Sequence, residues 1–343
     1  MSRPGPHLAG ATPAGDAGQR GFAEDHELRG VIERLLCARP GAAARVVSIS
    51  STPSPFAARS PAEIVTVDLA DGAGLTLFVK RLGGQQAEHP DKRRPDREPS
   101  VYRHLLAGRD LPAPTFYESR WDPRSGRYEL FLEHIDDWTL KYHDLDHWTT
   151  AAGRLAELHA HFAAPSRELA RADFLLRLDR AYFEAWAARA VRAAGAASAD
   201  LGRAAERALR GHGDIVEAVV AGPPTLVHND LAPKNVIAGT ATSPARICIV
   251  DWEMAGIGCG LLDLAHLAHG LAPRDARRLQ AAYAAALGDG GGRGPGWREL
   301  RSLLAACDYL SAVYRLAHVR EWRIAPAQVQ RWIGELGRLR RVA

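Results

Sequence analysis

Residues 227–235 read VHNDLAPKN, and residues 249–253 read IVDWE. They contain an aspartate, Asp230, an asparagine five positions later, Asn235, and a second aspartate, Asp251, which ends a short apolar run typical of a buried strand. Phosphoryl transfer from a nucleotide needs one carboxylate to orient the attacking hydroxyl and accept its proton. It also needs a carboxylate and an amide oxygen to hold the magnesium ion that neutralises the phosphates. The pattern therefore predicts Asp230 as the catalytic residue and Asn235 and Asp251 as metal ligands.

The two stretches resemble the catalytic and metal-binding loops of the aminoglycoside phosphotransferase and choline kinase family, whose members are relatives of the protein kinases. Like that family, the chain has His-Asn-Asp where protein kinases usually carry His-Arg-Asp, and Asp-Trp-Glu where they carry Asp-Phe-Gly. The resemblance runs from about Val46 to His269 and is specific at the two loops. It implies an α+β, protein-kinase-like two-lobed fold, with a small β-rich N-terminal lobe and a larger, mostly helical C-terminal lobe. ATP and Mg²⁺ are expected between the lobes.

The chain divides into three expected parts. Residues 1–22 are rich in glycine, alanine and proline and lack periodicity, so we expect a disordered leader. Residues 23–135 form the expected nucleotide-binding lobe, and residues 136–343 form the expected catalytic and substrate-binding lobe. Strands are predicted at residues 45–49, 63–70, 75–82, 114–120, 127–135 and 246–250, and helices at residues 24–38, 98–106, 148–162, 174–194, 201–220, 274–287, 297–322 and 327–341.

One predicted strand carries the lysine of the nucleotide site. Side chains alternate between two faces in residues 75–82, and Lys80 shares a face with Phe78. The resemblance implies that Lys80 contacts the α- and β-phosphates, and that Glu98, in the first turn of the next helix, fixes the direction of Lys80. An ordinary strand-end cation and an ordinary helix-start acid are the alternatives, and Glu88 is a competing partner.

The resemblance implies further nucleotide contacts. Ser51 lies in a serine-rich segment, residues 50–56, at the place where protein kinases keep a glycine-rich phosphate loop. Its hydroxyl and nearby N–H groups are expected to contact phosphate, although two prolines in the segment remove donors. Phe78 is expected to cover the base, with a plain core position as the alternative. The segment 131–135, which leads into the polar link Asp136-Asp137, is the expected hinge. Its backbone is expected to pair with the adenine edge, with Glu133 and Ile135 as contact residues.

Two other residues are expected to support the site. The resemblance implies that Asp263 starts a helix and braces the catalytic loop through backbone N–H groups, and a plain helix N-cap is the alternative. His228 is predicted to be a buried hydrogen-bonding brace, because Asp230 already has the role of base. Lys234 is expected at the surface, with the γ-phosphate as its alternative contact. The basic run at residues 92–94 is expected to lie in a solvated loop.

The composition excludes several classes of function. A net charge of +4 and dispersed arginines do not form the basic stripe of a nucleic-acid-binding protein. No signal peptide and no apolar run of membrane-spanning length is evident, so we expect a soluble, cytoplasmic protein without a membrane partner. Only four of the 44 basic residues are lysine, which makes each lysine more informative than usual. Buried free thiols in a reducing compartment are expected for most of the cysteines, which are Cys37, Cys248, Cys259 and Cys307.

The charge of the C-terminal section bears on the acceptor, which we expect to be a hydroxyl of a small molecule. Residues 254–343 contain 13 arginines and seven acidic residues, whereas a site for a polycationic aminoglycoside should be lined with carboxylates. A less cationic acceptor is therefore preferred, such as a nucleoside or another glycosylated antibiotic. The alternative source of negative potential is a group of acids after the hinge, namely Asp136, Asp137, Asp144 and Asp146.

Other functional classes remain as alternatives. A housekeeping kinase for choline, a sugar or an amino alcohol is the runner-up. The charge argument disfavours a kinase for polycationic aminoglycosides. A protein kinase is disfavoured because no Ala-Pro-Glu segment follows Asp251, and an inactive binding module is disfavoured because the sequence contains all the catalytic groups.

Overall fold

The structure is a computed structural model that describes residues 26–37, 45–55, 61–83, 89–124, 126–163, 166–289 and 297–343. The chain divides into two compact units, residues 1–78 and residues 79–343. The predicted leader at residues 1–22 and the competing glutamate Glu88 lie outside the described residues. The boundary that the sequence predicts between residues 135 and 136 stays a prediction.

The first unit contains a helix and an antiparallel sheet. Helix α1 spans His26–Cys37, β1 spans Val46–Pro53 and β2 spans Ala62–Leu69, while β3, Gly74–Leu82, begins in this unit and ends in the second. β1 pairs antiparallel with β2. Alternate residues at the start of β3 are buried, as expected for a strand with one face on the core. The turn between β2 and β3 contains Gly72 with a φ of +81°, a conformation that glycine adopts without strain.

The serine-rich segment is a loop only in part. Residues 50–53 belong to β1, and Ser51 lies opposite Val65 of β2. The loop predicted for residues 50–56 is therefore wrong for its first half, because pairing with β2 overrides the weak strand preference of serine and proline. Residues 56–60 lie outside the described part of the chain, and the phosphate contact of Ser51 stays a prediction.

The second unit begins with the end of β3. This end lies beside β5, Arg127–Glu133, and β5 pairs antiparallel with β4, Phe116–Asp122. Helix α2 spans Arg97–Val101 and continues as a wider π-type turn over Tyr102–Leu106. Four successive residues of β5 are buried, the pattern expected of a strand that is covered on both faces.

Helices make up most of the second unit after residue 145. Those that the structure describes are α3 (Leu145–His161), α4 (Arg167–Arg171), α5 (Arg180–Ala197), α6 (Ala199–Ala208), α7 (His212–Val220), α8 (Leu261–Ala268), α9 (Pro273–Asp289), α10 (Trp297–Ala317) and α11 (Pro326–Leu339). Helix α10 packs against α5, α8 and α11, and α3 packs against α9. Strands therefore dominate the N-terminal part and helices the C-terminal part, which confirms the predicted α+β class.

Two of the predicted helices differ in the structure. The helix predicted at residues 174–194 begins only at Arg180, because the carboxylate of Asp179 caps it by accepting a hydrogen bond of 3.0 Å from the backbone N–H of Tyr182. The helix predicted at residues 201–220 is two helices, α6 and α7. α6 ends at Ala208, and Gly211, with a φ of +76°, precedes the first residue of α7.

Short strands place two loops next to each other. β7 is Pro224–Val227, β8 is Val236–Gly239, β9 is Arg246–Ile249 and β10 is Gly256–Cys259. β7 pairs antiparallel with β10, and β8 pairs antiparallel with β9. We call the link between β7 and β8, residues 228–235, the catalytic loop. The link between β9 and β10, residues 250–255, is called the metal loop. The two strand pairings bring both ends of one loop beside the ends of the other.

Strand β10 also pairs in parallel with β6, Leu176–Arg177, and its neighbours lie very close to its backbone. A Cβ atom at Gly258 would lie 2.8 Å from the Cβ atom of Leu178. At Gly260, the residue after the strand, a Cβ atom would lie 2.6 Å from His159 Nδ1. Glycine is thus required where another chain segment approaches the strand this closely.

The cysteines and the helices bear on two further predictions. Cys248, Cys259 and Cys307 are buried and form no disulfide bond, as predicted, while the side chain of Cys37 lies outside the described part of the chain. None of the helices among the described residues combines the length and the apolar character needed to cross a bilayer.

Candidate active site

The catalytic loop is held at its start by a buried carboxylate. Asp263, in the first turn of α8, accepts hydrogen bonds from the backbone N–H groups of His228 (2.7 Å) and Asn229 (2.8 Å). These bonds fix Asn229 in a left-handed conformation, with a φ of +64°, which asparagine tolerates better than most residues. Burial would raise the pKa of Asp263, but His159, 3.3 Å away, holds it below its ordinary value. Asp263 therefore remains a charged acceptor for both N–H groups.

His228 connects the two loops. Its Nδ1 accepts a hydrogen bond from the backbone N–H of Asp230 (3.3 Å), and its Nε2 donates to the carbonyl of Val250 (2.9 Å). Both ring nitrogens of this buried side chain thus have partners, and the two bonds assign the proton to Nε2. His228 thus braces the two loops against each other, and the carboxylate of Asp230 beside it is half-buried.

Asn235 ends the catalytic loop with its amide nitrogen turned inward. Nδ2 donates to the backbone carbonyl of Asp230 (2.8 Å) and lies 3.4 Å from a carboxylate oxygen of the same residue. The backbone carbonyl of Asn235 accepts a hydrogen bond from the N–H of Val250 (2.9 Å), which again ties the two loops. Because Nδ2 is engaged, Oδ1 is the Asn235 side-chain atom that suits a cation.

Asp251 is the acid of the metal loop, and Lys80 lies against it. Asp251 adopts a φ of +70° at the point where the chain leaves β9. The ammonium group of Lys80 lies 2.7 Å from Glu98 Oε2 and also contacts Asp251 Oδ1. Lys80 is thus an ammonium between two carboxylates, one from α2 and one from the metal loop. This is the geometry that the hypothesis of a Lys80–Glu98 ion pair requires.

The three groups shift each other's pKa values. Burial alone would lower the pKa of Lys80, but the carboxylates of Asp251 and Glu98 raise it above its ordinary value. Burial raises the pKa of Glu98 to about 7, against the opposing effect of Lys80. Burial would also raise the pKa of Asp251, but Lys80 holds it below its ordinary range. Lys80 and Asp251 are therefore charged at neutral pH, as phosphate and metal contacts require.

The residues of the two loops fit a magnesium ion. Mg²⁺ prefers hard oxygen ligands and usually keeps several positions for waters and phosphate oxygens. Asp251 offers an ionised carboxylate and Asn235 an amide oxygen. Among the described residues, no cluster of three or more histidine, cysteine, aspartate or glutamate side chains could hold a metal ion. A site with two protein ligands, completed by the nucleotide and water, matches the way Mg²⁺ is bound in phosphotransferases.

The prediction of a solvated loop at residues 92–94 is correct for Arg93 and Arg94, which are exposed, and wrong for Lys92. Lys92 is not in a solvated loop: its ammonium forms an ion pair with Glu253 of the metal loop, and both side chains are largely buried. Arg97 holds the same region, because its guanidinium donates to the backbone carbonyls of Glu253 and Phe174 (both 2.8 Å). The scarcity of lysine was the sequence signal that could have identified Lys92. Lys234, in contrast, is exposed, as predicted.

The other predicted nucleotide residues lie in different places. Ser51 and Phe78 belong to the first unit, and their roles stay predictions. The side chain of Glu133 forms a two-point ion pair with Arg246 (2.6 and 2.8 Å). The Arg246 guanidinium holds the pKa of Glu133 at about 2. The Ile135 carbonyl accepts a hydrogen bond of 2.9 Å from the backbone N–H of Asp137. The Glu133 carboxylate is thus engaged by Arg246. The expected adenine contact would be made by backbone atoms.

The sequence model of the phosphotransferase enzyme family matches residues 56–303 of this chain. The match includes the catalytic loop, the metal loop, Lys80 and Glu98. A comparison with curated proteins finds no match.

Solved structures similar to this chain share its fold at low sequence identity. The GDP and kanamycin complex of APH(2'')-IIIa has a TM-score of 0.56 at 14% identity, covering 92% of this chain and 98% of that chain. The GDP complex of wild-type aminoglycoside 2'-phosphotransferase-IIIa has a TM-score of 0.54 at 14% identity, covering 91% and 99%. Choline kinase LicA from Streptococcus pneumoniae has a TM-score of 0.50 at 15% identity, covering 91% and 99%.

Proposed function

Because the chain belongs to the phosphotransferase enzyme family, we propose that it transfers the γ-phosphoryl group of ATP to a hydroxyl group of a small molecule, in a reaction that depends on Mg²⁺. The observation that carries the proposal is the meeting of Asp230, Asn235 and Asp251 on two adjoining loops, with the Lys80–Glu98 pair beside Asp251. One acid for a hydroxyl, two oxygen ligands for a cation and one fixed ammonium are the parts that phosphoryl transfer from a nucleotide needs.

Each residue has one task in the proposed reaction. Asp230 orients the acceptor hydroxyl and takes its proton while the new O–P bond forms and the bond to the leaving nucleotide breaks. Asn235 and Asp251 hold the magnesium ion, which when bound neutralises charge on the phosphate oxygens. Lys80 aligns the phosphates, and Glu98 limits the directions in which its ammonium can point. Most of the proposed catalysis is therefore positioning and electrostatic stabilisation.

We propose a weakly charged acceptor, such as the hydroxyl of a nucleoside or other glycosylated antibiotic. The arginine surplus of residues 254–343 supports this. Three of the four acids after the hinge support it too, because they already have local partners, whereas Asp136 is exposed. Asp137 accepts two hydrogen bonds of 2.7 Å from Thr240, Asp144 caps α3, and Asp146 pairs with Arg278 at 3.0 Å. Acids that are committed in this way attract a polycation less than free carboxylates would.

A housekeeping kinase for choline, a sugar or an amino alcohol is the second candidate. It uses the same catalytic residues and differs only in the acceptor. Both an aminoglycoside phosphotransferase and a choline kinase are among the proteins of similar fold, and a fold hosts many substrates. The assay must therefore contain hydroxylated antibiotics and hydroxylated metabolites together.

The proposal is tested by incubating the protein with ATP, Mg²⁺ and such a panel, and by measuring phosphorylated products by mass spectrometry. Asp230→Asn should lower turnover by about 10²–10⁴-fold and leave nucleotide affinity nearly intact, because its carboxylate acts on the acceptor. Asp251→Ala should instead remove the magnesium dependence of nucleotide binding in a calorimetric titration. Near-wild-type turnover of Asp230→Asn, or an unchanged magnesium dependence in Asp251→Ala, would contradict these roles.

A further inference from the structure

A short turn before α2 contacts the surroundings of both loops. Residues Pro90–Lys92 form one turn of 3-10 helix, which His89 caps by accepting a hydrogen bond from the backbone N–H of Asp91 (3.2 Å). The turn lies in the second unit, between β3 and α2. Asp91 and Lys92 are adjacent in sequence and largely buried, with exposures of 6% for Asp91 and 10% for the Lys92 side chain. Adjacent buried charges of opposite sign are costly unless each has a partner.

Tyr182, the hydrogen-bond partner of Asp91, also contacts the catalytic loop. Tyr182, on α5, donates its hydroxyl proton to Asp91 Oδ2 (2.9 Å). The same hydroxyl oxygen accepts a hydrogen bond from Nδ2 of Asn229 (2.9 Å), the residue directly before Asp230. The backbone N–H of Asn229 is already held by Asp263. Two separate elements therefore fix this left-handed residue, α8 through its backbone and α5 through its side chain.

The partner of Lys92 lies in the metal loop. The Lys92 ammonium pairs with the carboxylate of Glu253, two residues after Asp251. Arg97 strengthens the contact, because its guanidinium donates both to the backbone carbonyl of Glu253 (2.8 Å) and to the backbone carbonyl of Asp91. One guanidinium therefore ties the turn directly to the metal loop.

We propose that the turn at residues 89–92 is a clamp that sets the position of the catalytic loop relative to the metal loop. Asp91 acts through Tyr182 on Asn229, and Lys92 acts on Glu253. These residues position Asp230 and Asp251 without touching the reacting atoms. The inference rests on the proposed function for its effect on rate, since the two aspartates that it positions are the acceptor-side and metal-side acids of that reaction.

Such a clamp matters because phosphoryl transfer depends on alignment. A misplacement of about 1 Å between a catalytic group and its substrate can cost about 10²-fold in rate. Asn229 also has a conformation that is less populated for non-glycine residues, and such conformations persist when the surroundings determine them from several sides. Loss of the side-chain contact leaves the Asp263 bonds in place, so the loop should loosen without unfolding.

Tyr182→Phe is the sharpest test, because it removes one oxygen that joins Asp91 to Asn229. We expect kcat to fall by about 10–100-fold, with the nucleotide dissociation constant changed by less than about threefold. The matched control is Tyr309→Phe. It removes the hydroxyl of another buried tyrosine, which lies 3.3 Å from His212 on α7, and should leave kcat unchanged. Asp91→Asn, which keeps an oxygen acceptor for Tyr182, should retain more activity than Asp91→Ala.

Amide hydrogen exchange supplies a readout that does not require a known acceptor. In Tyr182→Phe, amides of residues 228–235 should exchange at least several-fold faster, while those of α9 stay unchanged. Combining Tyr182→Phe with Lys92→Met should give less than the product of the single rate losses if one clamp carries both contacts. Wild-type exchange in the catalytic loop of Tyr182→Phe would overturn the clamp. If no acceptor is phosphorylated by the wild-type protein but exchange rises as expected, the proposed function fails and the clamp stands.

Discussion

Asp308, on α10, faces a cavity of about 210 Å³ that Arg315 and Glu335 also line. Burial raises the pKa of Asp308 to about 6. A carboxyl group whose pKa is raised by folding binds its proton more tightly in the folded state. Its contribution to stability is therefore complete below the unfolded pKa of about 4 and is lost as pH rises through 6.

Replacement of Asp308 by asparagine removes this pH-dependent loss. The free energy of unfolding of Asp308→Asn, relative to that of wild type, should therefore increase by about 1–2 kcal/mol from pH 4 to pH 8. One pKa unit corresponds to about 1.4 kcal/mol, and the full effect is reduced because Asp308 is only half-buried. Urea unfolding at both pH values measures the difference. Asp110→Asn is the control, because the side chain of Asp110 is 98% exposed. An equal pH trend in the two variants would show that the cavity does not perturb Asp308.

Strand β10 depends on its glycines, because a side chain at these positions would meet neighbouring residues. A Cβ at Gly258 would lie 2.8 Å from that of Leu178, closer than real Cβ contacts come, so strand or neighbour must shift. We expect Gly258→Ala to lower the free energy of unfolding by about 1–3 kcal/mol, the usual cost of overpacking. Gly153→Ala in α3, where nothing lies within 4 Å, should raise it by about 0.5–1 kcal/mol. Denaturant unfolding of both variants gives the comparison, and equal signs would refute the packing argument.

Local sequence patterns predicted most elements to within a few residues, and their failures have identifiable causes. The strand predicted at residues 75–82 is β3, Gly74–Leu82, because its alternation and its turn are both local. The start of α5 was missed, since the apolar residues before Asp179 pack along β10 in an extended conformation. The break at Gly211 was missed because a single glycine is tolerated inside a helix when its φ stays negative. Long-range strand pairing determines where α5 begins, and the positive φ of Gly211 separates α6 from α7.

The site residues that the sequence predicts are local in sequence, whereas those that it misses meet only through long-range packing. Asp230, Asn235 and Asp251 lie in two nearby segments whose spacing carries their chemistry. The clamp joins Asn229 of the catalytic loop to Asp91 and Tyr182, which are distant along the chain and belong to no motif. Only the packing of α5 beside the catalytic loop brings them together. No local pattern in the sequence marks such a contact.

Net charge is a property of the whole molecule, and it yields a test of the acceptor class. With a net charge of +4 and an arginine-rich C-terminal section, the protein should not attract a polycation over long distances. We expect kcat/KM for the preferred acceptor to change by less than about threefold between 50 and 300 mM salt, and kanamycin-type aminoglycosides to be poor substrates. Steady-state kinetics across salt concentrations measures this. Efficient aminoglycoside phosphorylation that falls steeply with salt would reverse the assignment of a weakly charged acceptor.

The reactivity of the buried cysteines can report local opening of the structure around them. Thiol reagents react with exposed thiolates, whereas burial raises the pKa of Cys248 to about 11 and that of Cys307 well above its ordinary value. Modification therefore requires both access and ionisation, which arise only when the surrounding structure separates. Cys248 lies on β9, next to the metal loop, and Cys307 lies inside α10. The labelling rate of Cys248 would thus measure how often the structure beside the metal loop opens, and that of Cys307 how often the surroundings of α10 open. Neither measurement needs an engineered probe.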